Sequence, residues 1–159
     1  MDSIEWSRLR WSESGQPEPD HFAMVAAIMR LHQIVVSNLD RLLKDQGLSR
    51  TAYLVLATLI LAKDRTLTMS QLSRRLILHP TTISLVTDQL QARGLVERQA
   101  HAGDRRTVLA ALTEDGVRVL TETSEALAVK DYGLDGINDR LAITVTETIR
   151  QARVALGDT

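Results

Sequence analysis

Residues 66–113, TLTMSQLSRRLILHPTTISLVTDQLQARGLVERQAHAGDRRTVLAALT, decide the fold. Leu67 sits in a very short strand. Thr68, followed three residues later by Gln71, forms a capping box that starts a short helix through Leu76. Ile77 and Leu78 make a tight turn. His79 then precedes Pro80, and proline suits the first helical position because its missing N–H would have no partner there. This second helix runs from Pro80 to Arg93 and stops at Gly94, which tolerates the left-handed turn that ends a helix. Residues 95–101 and 107–112 read as two strands, joined by a hairpin of Ala102, Gly103, Asp104, Arg105 and Arg106.

Longer helices flank this unit. On its C-terminal side Thr113, with Glu114 and Asp115 behind it, caps a helix reaching about Lys130. After a break at residues 133–136, Ile137, Leu141, Val145, Ile149, Ala152 and Leu156 mark a final amphipathic helix. On the N-terminal side a helix from Ser49 to about Lys63 carries Tyr53, Leu56, Leu59 and Ile60 on its apolar side. Before it, Asp20 caps a long helix in which Phe22, Val25, Met29, His32, Val36, Leu39 and Leu43 recur in steps of three and four, ending near Gly47. Residues 1–19 hold Trp6 and Trp11 and then a helix-breaking run with Pro17 and Pro19, which reads as an extension followed by a linker.

The chain therefore divides into an extension (1–19), a helical region made of residues 20–47 and 114–159, and a helix-turn-helix and hairpin region at 48–113, all within one domain. At 159 residues it is long enough for one core and too short for two ordinary domains. Aromatic residues total 3%, so the core is aliphatic. The terminal helices have wider apolar faces than a unit of that size can cover, so they are expected to pack on a second copy of the chain.

Composition also excludes chemistries. With no cysteine, disulfides, cysteine zinc sites, thiol nucleophiles and thiol redox sensing are ruled out. His21, His32, His79 and His101 are scattered without ligand spacing, so no metal or other cofactor is expected. No phosphate loop, Ser-His-Asp order or carboxylate pair stands out, which argues against an enzyme. The N-terminus lacks the apolar core of a signal peptide, and no stretch is read as apolar enough to cross a bilayer. The expectation is a cytoplasmic protein without a membrane partner.

Net charge is −1, which looks wrong for a protein that neutralises phosphates. Charge is unevenly spread, however. Between Thr66 and Ala110, Arg74, Arg75, Arg93, Arg98, Arg105 and Arg106 face only Asp88, Glu97 and Asp104, a net +3 that leaves −4 on the rest. A basic reading head on an acidic scaffold fits this pattern. In such a head the second helix enters the major groove of double-stranded DNA and presents its N-terminal half, here Pro80, Thr81, Thr82, Ser84, Leu85 and Thr87. Ile83, Val86 and Leu90 repeat at core spacing. Any amphipathic surface helix shares this pattern. Asp104 beside Arg105 and Arg106 at the hairpin tip suits the narrow minor groove, although a charged turn is common by itself.

Taken in order, the motifs resemble the MarR family. Leu48-Ser49 opens the match, LQARGLVER (90–98) closes the second helix, and DRRTVLAALTEDG (104–116) forms the hairpin and the following cap. The resemblance implies a mainly α fold, a winged helix-turn-helix with a small β-hairpin wing and long terminal helices that form a dimerisation region. It also implies a homodimer on an inverted-repeat operator, with recognition helices in successive major grooves and wings in the flanking minor grooves. Arg106 is similar in place to the family's wing arginine, and Asp104 to its partner acid. This chain departs from the family where arginines often stand and it has Leu85 and Gln89. From Ile77 to Ala92 there is no Lys or Arg, so phosphate contacts are expected to rest on Arg74, Arg75, Arg93, Arg98 and the wing.

Many family members resemble switches released by a small molecule bound between the dimer helices and the reading head. Arg30, His32 and Tyr53 are the candidate ligand residues here, although His32 reads more readily as a satisfied core or interface histidine. The leading functional reading is a repressor released by a small, aromatic acid. The alternative is a winged-helix protein without an effector, acting as a DNA-architectural or protein-interaction module.

Overall fold

A computed structural model describes every residue except Ala102 and Thr159, and every described side chain except those of His101, Asp104, Arg105 and Arg106. Seven α-helices and three strands are described, with mainly helical architecture around one small sheet.

Helix α1 (Ser3–Glu13) is capped by Asp2, whose carboxylate accepts the Ile4 and Glu5 N–H groups. Residues read as an extension thus include a helix, and it is docked. Trp11 stacks on Phe22 with ring centroids 4.0 Å apart, and its indole N–H donates to the Pro17 carbonyl at 2.7 Å. Helix α2 (Pro19–Asp45) begins one residue before the expected cap. Glu18 holds the cap position with φ 50°, Pro19 is the first helical residue, and Asp20 lies in the first turn, where it pairs with Arg8. Its carboxylate still faces the positive end of the helix. At 27 residues, α2 is long and apolar enough to cross a membrane by length and composition alone. This corrects the expectation that no stretch comes close. Arg30, His32, Gln33, Ser37 and Asn38 break the run of apolar residues without lowering its average enough to exclude it.

Helix α3 (Arg50–Ile60) is the central one. Ser49 caps it by accepting the Ala52 N–H, and Ala52, Tyr53, Val55, Leu56 and Leu59 are all buried. Around it stand strand β1 (Thr66–Thr68), helix α4 (Met69–Leu76) and helix α5 (Pro80–Ala92). The capping box of α4 forms as read: Gln71 N–H donates to the Thr68 hydroxyl at 3.1 Å and Thr68 N–H to the Gln71 side chain at 2.8 Å. Strands β2 (Val96–His101) and β3 (Asp104–Leu112) form the hairpin, and the antiparallel sheet has the order β1-β3-β2, with Leu67 opposite Ala110 and Val96 opposite Leu112.

Helix α6 (Glu114–Ala128) starts from a double contact. The Thr113 hydroxyl accepts the Gly116 N–H and donates to the Gly94 carbonyl at 2.7 Å, tying the end of the sheet to the turn after α5. A Cβ at Gly116 would stand 2.1 Å from the Leu95 carbonyl oxygen, so only glycine permits this approach. Leu43, Leu56, Leu59, Leu72, Ile83, Leu90, Val96 and Leu127 fill one aliphatic core beneath the helix-turn-helix. A left-handed bend at Asp131, Tyr132 and Gly133 leads to the last helix, and Asn38 of α2 donates to the Gly133 carbonyl at 2.8 Å. Helix α7 (Asp139–Ala155), capped by Asn138, buries no residue of its own.

Candidate nucleic-acid interface

Helix α5 has two faces. Ile83, Val86, Thr87 and Leu90 point into the core, while Thr81, Thr82, Leu85, Asp88 and Gln89 face outward. Thr87 was expected on the reading face. It is wholly buried because it falls at the i+4 position from Ile83 and the i−3 position from Leu90, and its hydroxyl has no hydrogen-bond partner among the described residues. Pro80, Thr81 and Thr82 form the exposed start of the helix, and Leu85 is 58% exposed.

Ser84 and Arg98 are also placed differently from the reading. Arg98 on β2 turns its guanidinium onto α5, donating to the Ser84 carbonyl at 3.1 Å and the Ser84 hydroxyl at 3.0 Å, and pairing with Asp88 at 2.8 Å. All three contacts come from the one Nη2 nitrogen, while the buried Nε N–H has no partner among the described residues, and the Ser84 hydroxyl is occupied. That nitrogen carries two N–H groups, so the Ser84 carbonyl, the Ser84 hydroxyl and the Asp88 carboxylate share them. Arg98 thus braces the hairpin against α5. Arg93 is anchored likewise, donating to the Gly47 carbonyl at 3.0 Å.

Arg74 and Arg75, in the last turn of α4, are exposed and make no ion pair among the described residues. They are the free cations beside α5. His79, exposed, caps α5 by accepting the Thr81 N–H on Nδ1 at 3.2 Å, so in the neutral ring its Nε2 carries the proton and is a donor at the helix start. Neither His79 nor Gln89 was picked out from the sequence as a site residue. Gln89 lies one turn after Leu85, a spacing that does signal the outer face. Asp104, Arg105 and Arg106 begin β3 at the hairpin, and their side chains lie outside the described residues.

Candidate ligand residues are not gathered. Tyr53 is buried on α3, its phenol 3.2 Å from the Ser124 hydroxyl of α6. Tyr132 is its neighbour; burial, and the Tyr53 phenol beside it, push the Tyr132 phenol up. Arg30 and His32 lie exposed on α2, with Arg30 near enough to Asp2 to contribute, after the backbone bonds from Ile4 and Glu5, to holding that carboxyl below its ordinary value. No hydrogen bond or ion pair joins Tyr53 to either residue among the described residues.

The sequence model of the MarR family matches residues 46–107, from the turn before α3 into β3. Sco5413 of Streptomyces coelicolor, a MarR family transcriptional regulator, is 31% identical and superposes with a TM-score of 0.79 over 87% of this chain and 96% of its own. This chain belongs to the MarR family. The winged helix-turn-helix fold of the family accounts for every element from α3 to α6. Another member, Sco3205 of the same organism, solved in complex with DNA, shares the fold with a TM-score of 0.73 over 84% of this chain and 93% of its own at 24% identity. The transcriptional repressor MprA of Escherichia coli strain K12 is 32% identical over 94 residues, 59% of this chain. That match spans 53% of MprA, so the chain is aligned to about half the length of this relative. These family relatives are transcription regulators rather than enzymes.

Proposed function

We propose that this MarR family chain is a sequence-specific DNA-binding transcription regulator, a homodimer that represses by occupying an inverted-repeat operator in the cytoplasm. The observation that carries this reading is the outer face of α5, where Thr81, Thr82, Leu85 and Gln89 are exposed beside Arg74 and Arg75, which make no ion pair among the described residues. Thr81, Thr82 and Gln89 supply hydrogen bonds to base edges, Leu85 meets a thymine methyl, and His79 and the two arginines hold phosphates. Arg105 and Arg106, with Asp104, enter the flanking minor groove from the hairpin. Residues 48–113 read DNA in this scheme, and residues 20–47 and 114–159 join the two copies. MprA, itself a repressor, and Sco3205, solved with DNA, support the assignment. A small anionic effector that favours the DNA-free arrangement by a few kcal/mol releases the operator.

Gel-shift titration on the DNA upstream of its own gene tests this. An inverted repeat there is expected to bind about a thousandfold or more tightly than random duplex of equal length. Equal affinity for the two duplexes at every salt concentration ends the reading.

A further inference from the structure

A recess among the described residues is shared by the ends of α4 and α7. It is an open groove of about 650 Å³ between the end of α4 and the end of α7, lined by Gln71, Arg74, Arg75, Ile77, Arg153 and Asp158. Ligand sites generally occupy about 300–1,000 Å³, so this groove has room for a compound well beyond a single oxyanion. Three guanidinium groups from two different helices line it, against one carboxylate. Asp158 is already held by the Arg153 Nε, and the other edge of that guanidinium has no acceptor among the described residues. Arg74 and Arg75 have no carboxylate partner among the described residues.

Forked guanidinium groups match phosphoryl oxygens two at a time, and each such bond is strengthened because both partners are charged. Cations carried by two different helices are best satisfied together by a ligand with several negative oxygens, which can pair with more than one guanidinium. Gln71 adds an amide, although its oxygen is taken by the Thr68 N–H, so its NH2 is the group turned toward a ligand. Ile77, 81% exposed in the turn between α4 and α5, gives the groove an apolar lip.

We propose that this groove binds a small phosphorylated compound with at least two adjacent phosphoryl groups, clamped between Arg74 and Arg75 on α4 and Arg153 on α7. The site is separate from the Tyr53, Ser124 and Tyr132 cluster and from the Arg30 and His32 stretch of α2. Its consequence for DNA rests on the function proposed above: Arg74 and Arg75 cannot serve the ligand and the operator phosphates together, so the ligand competes with DNA.

Isothermal titration of the full-length, DNA-free protein with inorganic pyrophosphate, at constant ionic strength, measures the site without reference to DNA. Saturable binding is expected, about tenfold weaker in Arg153→Gln and several-fold tighter in Asp158→Asn, which removes the competing carboxylate. Neither residue belongs to the proposed DNA contacts. A parallel arm with ADP separates sources: tighter binding than pyrophosphate points to a nucleotide resting on Ile77, and equal or weaker binding to the inorganic ion. Citrate binding as tightly as pyrophosphate overturns the phosphoryl assignment. Absence of saturable binding, or equal affinity in both variants, overturns the site. Pyrophosphate that binds but does not displace operator DNA leaves the site standing and removes the competition; a protein that binds pyrophosphate and no operator refutes the function and not the site.

Discussion

Thr87 places a hydroxyl in the floor of α5 with nothing among the described residues to bond it. A buried, unpaired polar group is paid for in desolvation, and an isosteric apolar side chain removes that cost. Thr87→Val is therefore expected to raise stability by about 1 kcal/mol, seen as a higher denaturation midpoint, with operator affinity unchanged. Lost DNA binding in a stably folded Thr87→Val protein would return this residue to the reading face. Its burial was legible in principle, since 83, 86, 87 and 90 complete one helical stripe; the polar side chain concealed it. Arg98 is a different case, because its partners Ser84 and Asp88 lie on another element and only the folded chain brings them together. Lysine keeps its charge but is shorter than the arginine whose Nη2 makes all three contacts. If Arg98 braces the hairpin, Arg98→Lys lowers stability by about 1–2 kcal/mol and speeds amide exchange in both α5 and β2. Were it instead a phosphate clamp, lysine would preserve both stability and exchange and reduce only the salt-dependent part of DNA affinity.

Elements with their own local chemistry were the readable ones. The Thr68–Gln71 box, the His79-Pro80 start and Gly94, at φ 70°, each set an end of α4 or α5 through contacts within a few residues. Residues 1–19 read as an extension in which Trp6 and Trp11 pack a short helix, but no bounds could be set because the apolar residues make no clear stripe; helix α1 is fixed by the stack of Trp11 on Phe22 across a turn. The start of α2 was misplaced because Asp20 is a good cap residue, whereas Glu18 takes the cap position in a left-handed conformation without a side-chain bond and Pro19 opens the helix. Gly116 belongs to this scale too. It sits in the first turn of α6 against the Leu95 carbonyl, so Gly116→Ala forces the helix away from the sheet end. A loss of about 1–3 kcal/mol or more is expected, measured by denaturant titration, despite the better helix propensity of alanine. A stabilised Gly116→Ala protein would mean that α6 does not close on Leu95 in solution.

At the scale of the whole molecule, the core serves the reading unit and leaves the terminal helices uncovered. Only Ala23 and Leu43 of α2 are buried, and α7 buries nothing, whereas Val25, Ile28, Met29, Leu141, Ile149 and Leu156 stand exposed. Apolar surface on this scale is stable in water only when another surface covers it, and a second copy joined through a two-fold axis supplies an identical face. Such a pairing also sets the spacing of two α5 helices for two operator half-sites. Ile149→Glu puts a charge on the α7 stripe without touching the core around Leu56 and Leu59. The wild-type chain is expected to sediment as a dimer and Ile149→Glu as a monomer that keeps cooperative unfolding, and its operator affinity falls because each half-site is then bound alone. A wild-type chain that sediments as a monomer, or an Ile149→Glu dimer of unaltered strength, would assign the exposed face of α7 to some other contact and leave the spacing of the two reading helices without a source.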